Sequence, residues 1–102
     1  MAESNPQPTY LAGAPGASLK HLNTAGGTLL KTGAGAAVGI NVNTSSANAT
    51  LTIYDGTSAA GAVMAVIDAS RGGPDIGFTG WPFTTGLFVV VVGTPDITIT
   101  WW

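Results

Sequence analysis

Charge is what this sequence has least of. Only 8% of its 102 residues are Asp, Glu, Lys or Arg, and the formal net charge is −2. An average soluble domain is roughly one-quarter charged, and a free monomer usually stays soluble through a mixed, charged surface. Much of this surface is therefore expected to be covered by neighbouring chains. The basic residues are Lys20, Lys31 and Arg71 alone. They are too few to track a phosphate backbone, so no nucleic-acid partner is expected. Cysteine is absent, which removes both a disulfide framework and a thiolate metal site. No run approaches the roughly 18 apolar residues of a membrane-spanning helix, and no membrane partner is expected. The start, Met1 to Pro6, has neither a basic region nor an apolar one, so the expectation is synthesis in a cytoplasm without a signal peptide. No segment shows a helical period.

What fills the chain instead is Gly, Ala, Thr, Ser and Asn. Disorder goes with low hydrophobicity and high net charge; the chain is 45% hydrophobic and nearly neutral. A single domain of this size buries somewhat more than about 60% of its unfolded surface, enough for one modest core. The C-terminal stretch shows how that core is patterned. Leu87 to Val92 is apolar at every residue, so both faces of this strand call for cover. Ile97 to Trp102 alternates Ile and Thr before Trp101 and Trp102. Ile97, Ile99 and Trp101 then share an inner face, and Thr98, Thr100 and Trp102 an outer one.

Upstream, Ala17–Asn23 and Thr28–Thr32 read as short strands separated by the turn signal Thr24-Ala-Gly-Gly27. In Ala36–Asn43, Val38, Ile40 and Val42 fall on one face. In Ala49–Asp55, Leu51 and Ile53 point inward and Thr50, Thr52 and Tyr54 outward. Asp55-Gly56 opens a loop, and Ala62–Asp68 returns as a hairpin partner with Val63, Ala65 and Ile67 on one face. Asp75–Thr79 is a weak strand, and Gly80-Trp-Pro-Phe83 a bend. About seven or eight short strands separated by turns predict an all-β fold, an antiparallel β-sandwich or jelly roll. It would span 17–102, after an extended N-terminal arm at 1–16 that holds Pro6, Pro8 and Pro15. The arm reads either as a frayed tail or as a segment laid on a neighbouring subunit, with Tyr10 and Leu11 as its anchors.

Catalysis needs positioned acids, bases or nucleophiles. The inventory is His21, Glu3, four aspartates and three basic residues, with no nucleophile motif beside His21. Asp55, Asp68, Asp75 and Asp96 stand at turns, where the carboxylate caps backbone N–H groups. Asp55 with Thr57 and Ser58 is too sparse for calcium. No enzymatic activity, metal, cofactor or small-molecule substrate is expected. The aromatic residues are the better candidates, because Trp and Tyr carry binding energy at interfaces. The interface candidates are Tyr10, Leu11, Tyr54, Trp81, Phe83 and Trp102. Tyr54, Trp81 and Trp102 could instead form a stacking platform for carbohydrate, provided they share one exposed face.

Five segments occur in this order: Leu30-Lys-Thr-Gly-Ala-Gly35, Ala37-Val-Gly-Ile-Asn-Val-Asn43, Leu51-Thr-Ile-Tyr-Asp-Gly-Thr-Ser-Ala-Ala-Gly61, Phe83-Thr-Thr-Gly-Leu87 and Gly93-Thr-Pro-Asp-Ile-Thr98. Over Leu29 to Trp102 the chain resembles short all-β structural proteins of tailed bacteriophages, of the capsid decoration or cement type. The Trp101-Trp102 ending and the proline-rich start depart from their usual pattern. The resemblance implies a virion protein on the capsid surface, partnered by the major capsid protein and by copies of itself, with no catalytic residue. Closed symmetry and capsid threefold positions suit a homotrimer. A tail, neck or fibre component of the same particle is the alternative.

Overall fold

The computed structural model describes residues 18–71 and 73–102, with the backbone alone over 73–79. The expected arm, with Tyr10 and Leu11, lies outside the described residues, as does the side chain of Asp75. The described residues form eight strands and no helix: β1 Ser18–Leu22, β2 Gly26–Thr32, β3 Gly35–Thr44, β4 Thr50–Asp55, β5 Ala62–Asp68, β6 Gly73–Phe83, β7 Gly86–Val92 and β8 Asp96–Trp101. They make two antiparallel four-stranded sheets, ordered β1-β8-β3-β6 and β2-β7-β4-β5. The all-β, sandwich-like class expected from the turn spacing is the class observed.

Alternation places the core between the sheets. Ile97 and Ile99 of β8 and Ile40 and Val42 of β3 meet Leu87, Val89 and Val91 of β7 and Leu51 and Ile53 of β4 in one buried cluster. Burying each such side chain stabilises the fold by about 1.5–3 kcal/mol. Trp101 joins this cluster, as its Ile-Thr-Ile-Thr lead-in predicted. β7 and β8, adjacent in sequence, sit in different sheets, so the turn at 93–95 crosses the sandwich rather than closing a hairpin. Only β4 and β5 are sequence neighbours within one sheet.

Four details differ from the period-two reading. In β3 the register slips between Ala37 and Gly39 against both neighbours. This bulge at Val38 gives the fully buried inward place to Ala37 and leaves Val38 half-buried. In β5 a second slip falls at Met64, so Val63 stands opposite Tyr54 on the outer face and is 58% exposed. A bulge adds one residue to one strand and inverts the alternation beyond it. The expected bend at 80–83 is the end of a single long strand, β6. Its Pro82 is tolerated because β6 is a sheet edge, and Gly80 takes the irregular backbone at φ 96°. Gly26 and Gly27, read as a turn, belong to β2.

Asp55 ties the two sheets together. At the end of β4 its carboxylate accepts backbone N–H bonds from Thr84 at 3.0 Å, Thr85 at 2.9 Å and Gly86 at 3.4 Å. These residues form the turn that carries the chain from β6 in one sheet to β7 in the other. Gly86 has no room for a side chain there, since a Cβ would lie 2.8 Å from the carbonyl oxygens of Gly56 and Lys31. The Thr85 amide, then that of Thr84, holds the Asp55 carboxyl below its ordinary pKa. A carboxyl depressed by folding stabilises the native state above its unfolded pKa, near about pH 4, and loses that contribution as pH falls through the folded value. Asp55→Asn is therefore expected to lower the urea midpoint at neutral pH and to flatten its fall between about pH 5 and pH 3. Part of the acid sensitivity survives, because Asp68 and Asp96 are also held low. Urea titrations across that range read the outcome; identical profiles for variant and wild type would remove Asp55 from this role.

Candidate functional site

Residues paired across antiparallel strands project from the same face, so the registers define what each sheet shows to its outside. On sheet β2-β7-β4-β5 one outer row is Leu29, Phe88, Tyr54 and Val63. The next is Gly27, Val90, Thr52 and Val66. Eight consecutive outer positions thus carry no charge, and only Thr52 and the Tyr54 hydroxyl are polar. A third row runs from Val92 through Thr50 to Asp68. Leu29 is 46%, Val66 63% and Val92 52% exposed. The Phe88 ring lies flat over β2, since a Cβ on Gly27 would come within 2.6 Å of its Cζ. On its other side Tyr54 packs with ring centroids 6.3 Å apart at 58°. The absence of a side chain at Gly27 makes room for the ring.

The outer face of sheet β1-β8-β3-β6 is the chemical opposite. His21, Thr98 and Asn41 form one row. Asn43 donates to Asp96 at 3.1 Å and to the Thr98 hydroxyl at 2.8 Å, Asn41 donates to Asn43, and His21 bonds Asp96. The hydrogen bond from Asn43, followed by that from His21, holds the Asp96 carboxyl below its usual range. His21 and Asp96 lie on an open sheet surface, with side chains 52% and 34% exposed. A shallow groove of about 230 Å³ beside them is lined by Lys20, His21, Leu22, Asn23, Thr24 and Thr28. Among the described residues no three His, Asp or Glu side chains gather at metal-ligand distance. Asp68 serves its own turn, accepting from the Ser70 amide at 2.9 Å and from the Ser70 hydroxyl.

The aromatic candidates divide. Phe83 is 2% exposed and belongs to the core; its neighbour in the alternation, Pro82, takes the outer position. Trp81 shares a row with Ala37 and Trp101 and is 37% exposed at the open end of the sandwich. Trp102 is 39% exposed. Its backbone is fixed by a bond from its N–H to Ala36 O at 2.8 Å and one from Lys31 Nζ to its oxygen at 3.1 Å. Tyr54 is on the other sheet, so Tyr54, Trp81 and Trp102 do not share a face. The outer apolar rows emerge only from the strand registers, because each draws single residues from four strands. The signal was present: an all-apolar Leu87–Val92 beside outward Tyr54 needs cover on both sides.

The two C-terminal tryptophans are expected to respond differently to truncation. Trp101→Ala opens a cavity in the core and should cost about 3–5 kcal/mol. Trp102→Ala should leave the fold intact and act only on contacts with other molecules. Thermal unfolding of both variants checks this, and equal destabilisation would show that Trp102 is also a core residue.

Compared with known proteins, the sequence matches no family model and no curated protein.

Proposed function

We propose that this chain is a virion structural protein, a capsid decoration or cement protein that covers the outer surface of a phage head and works by contact area. The observation that carries this reading is the uncharged apolar face of β2-β7-β4-β5, on a chain that is only 8% charged. Exposed apolar surface of this kind marks protein contacts. The described side chains offer hydrogen bonds spent on turns and strand ends, which is what a protein that only needs to hold its shape requires.

The strand order supports a jelly roll as the finer description. The pairs β1/β8, β2/β7, β3/β6 and β4/β5 nest outward from one central hairpin. Wrapping such a long hairpin into two four-stranded sheets generates the jelly-roll order, a fold used by viral capsid and lectin domains. Fold likeness alone does not assign a role; the contact face and the resemblance of Leu29 to Trp102 to phage structural proteins give it its direction. In this reading the protein bridges neighbouring subunits of the major capsid protein. The half-exposed Trp81 and Trp102 at the sandwich end and the apolar sheet face are its two contact surfaces. The carbohydrate reading loses its platform with the separation of Tyr54 from the tryptophans.

Quantitative mass spectrometry of purified particles from the phage that encodes the chain tests the proposal. The expected result is many copies per head, and heads stripped of the protein should break at lower temperature until it is added back. A handful of copies would move it to the neck or tail, and absence from the particles would end the virion reading.

A further inference from the structure

Asp55 is the only Asp or Asn in the sequence that stands before a glycine; every other one precedes Ala, Ile, Thr, Val or Pro. In an Asp-Gly step the glycine nitrogen, with no side chain beside it, can attack the aspartate Cγ. The N–Cγ bond forms and the Cγ–O bond breaks, and the oxygen leaves as water with the acid proton and the amide proton. Water then opens the five-membered succinimide at either carbonyl. One route gives back aspartate, and the other leaves isoaspartate, whose main chain runs through Cβ and Cγ. We propose that Asp55-Gly56 is a latent modification site, at which isoaspartate forms only in molecules whose 84–86 turn has opened. This goes beyond the contact role and holds whatever partner the chain has.

Closed, the turn holds both reacting groups. The Gly56 N–H donates to Gly86 O at 3.0 Å, which ties up the nucleophile. The Asp55 carboxylate accepts from the amides of Thr85 at 2.9 Å, Thr84 at 3.0 Å and Gly86 at 3.4 Å. An ionised carboxylate has no hydroxyl to release, and these bonds, the Thr85 amide first and then that of Thr84, keep the carboxyl below its ordinary pKa. Gly86 thus engages both partners, the nitrogen through its carbonyl and the carboxylate through its amide. The backbone is held as well. Asp55 is paired on both sides, with Ala62 in β5 and Leu87 in β7, and ring closure requires it to rotate out of the extended strand conformation. Gly56 is buried, and a Cβ there would already meet the Gly61 Cα at 2.9 Å, so the peptide has no space in which to turn.

The same bonds show what opens the site. The amide donors to the carboxylate and the acceptor for the Gly56 N–H all belong to the one turn at 84–86. They are lost together when that turn separates from β4, a local opening that leaves the rest of the core in place. The carboxyl then returns towards the ordinary aspartate range, and its protonated fraction grows at mildly acidic pH. Once formed, isoaspartate works against reclosure. It adds a carbon to the main chain at the end of β4 and leaves the free carboxylate directly on Cα, so the acceptor no longer meets the three amides. Past opening is thereby recorded as a lasting weakness in the joint between the two sheets.

Incubation of the full chain at mildly acidic pH, in buffer and in denaturing urea, tests this, with isoaspartate located by mass spectrometry with electron-transfer fragmentation. In urea it should accumulate at residue 55 well ahead of residues 68, 75 and 96, where Ala or Ile follows the aspartate. In buffer its formation at residue 55 should be about tenfold or more slower, because only opened molecules react. Low urea concentrations should raise that rate in step with hydrogen exchange at the Gly56 amide. Thr85→Pro, which deletes the donor at 2.9 Å, should raise the rate in buffer and leave it unchanged in urea; if that variant does not fold, the wild-type urea series decides. The separated isoaspartate form should melt below the unmodified chain. Equal rates at residue 55 in buffer and in urea would overturn control by the turn. Isoaspartate spread evenly over the four aspartates in urea, or absent from residue 55, would overturn the site itself. A modified form that melts like the unmodified chain would overturn the lasting weakness.

Discussion

Strand β7 imposes the constraint on which the rest of the molecule depends. It lies inside its sheet, between β2 and β4, and every residue from Leu87 to Val92 is apolar. Its inward residues, Leu87, Val89 and Val91, are essentially inaccessible and close the core against the isoleucines of β3 and β8. Its outward residues, Phe88, Val90 and Val92, have no second layer of the described residues above them. An ordinary antiparallel strand with one wet face would carry polar residues there. Here the same strand that builds the core also contributes Phe88, Val90 and Val92 to an apolar outer face.

The sandwich consequently has two unlike outsides. One sheet shows a polar network around Asp96, the other two rows without charge. The scarcity of charge is economical within this arrangement. Each of Asp55, Asp68 and Asp96 accepts hydrogen bonds that fix a turn or a strand end, and the pKa of each is lowered by those bonds. Lys31 reaches the Trp102 backbone. Asp55 and Lys31 tie elements together at the ends of the sandwich, and the outer face of β2-β7-β4-β5 presents two rows without charge.

Local pattern made much of this legible in the sequence. The alternation of Ile97, Thr98, Ile99, Thr100 and Trp101 predicted both their faces and the burial of Trp101, and Ala62–Asp68 was bounded correctly by its flanking turn signals. The misread faces have a common cause. A bulge adds one residue to one strand, so the parity of Val38 and Val63 depended on slips at 38 and 64 that no local signal announces. Phe83 stood among the interface candidates as an aromatic residue; on an edge strand Gly80 and Pro82 both fit, and Phe83 turns into the core. The pairing of β1 with β8, across most of the chain, is a non-local outcome of closing two sheets over one core. The outer apolar face follows only when those pairings are known, because it is assembled from single residues of four strands.

The central claim is that this outer face is a surface for protein contact. Hydroxyl-radical footprinting, read residue by residue, tests it most directly on dilute protein and on protein bound to particles. The account predicts that labelling at Leu29, Tyr54 and Phe88 falls on binding while Leu19 on the opposite sheet keeps its reactivity. Undiminished labelling of all three in the bound state would contradict it.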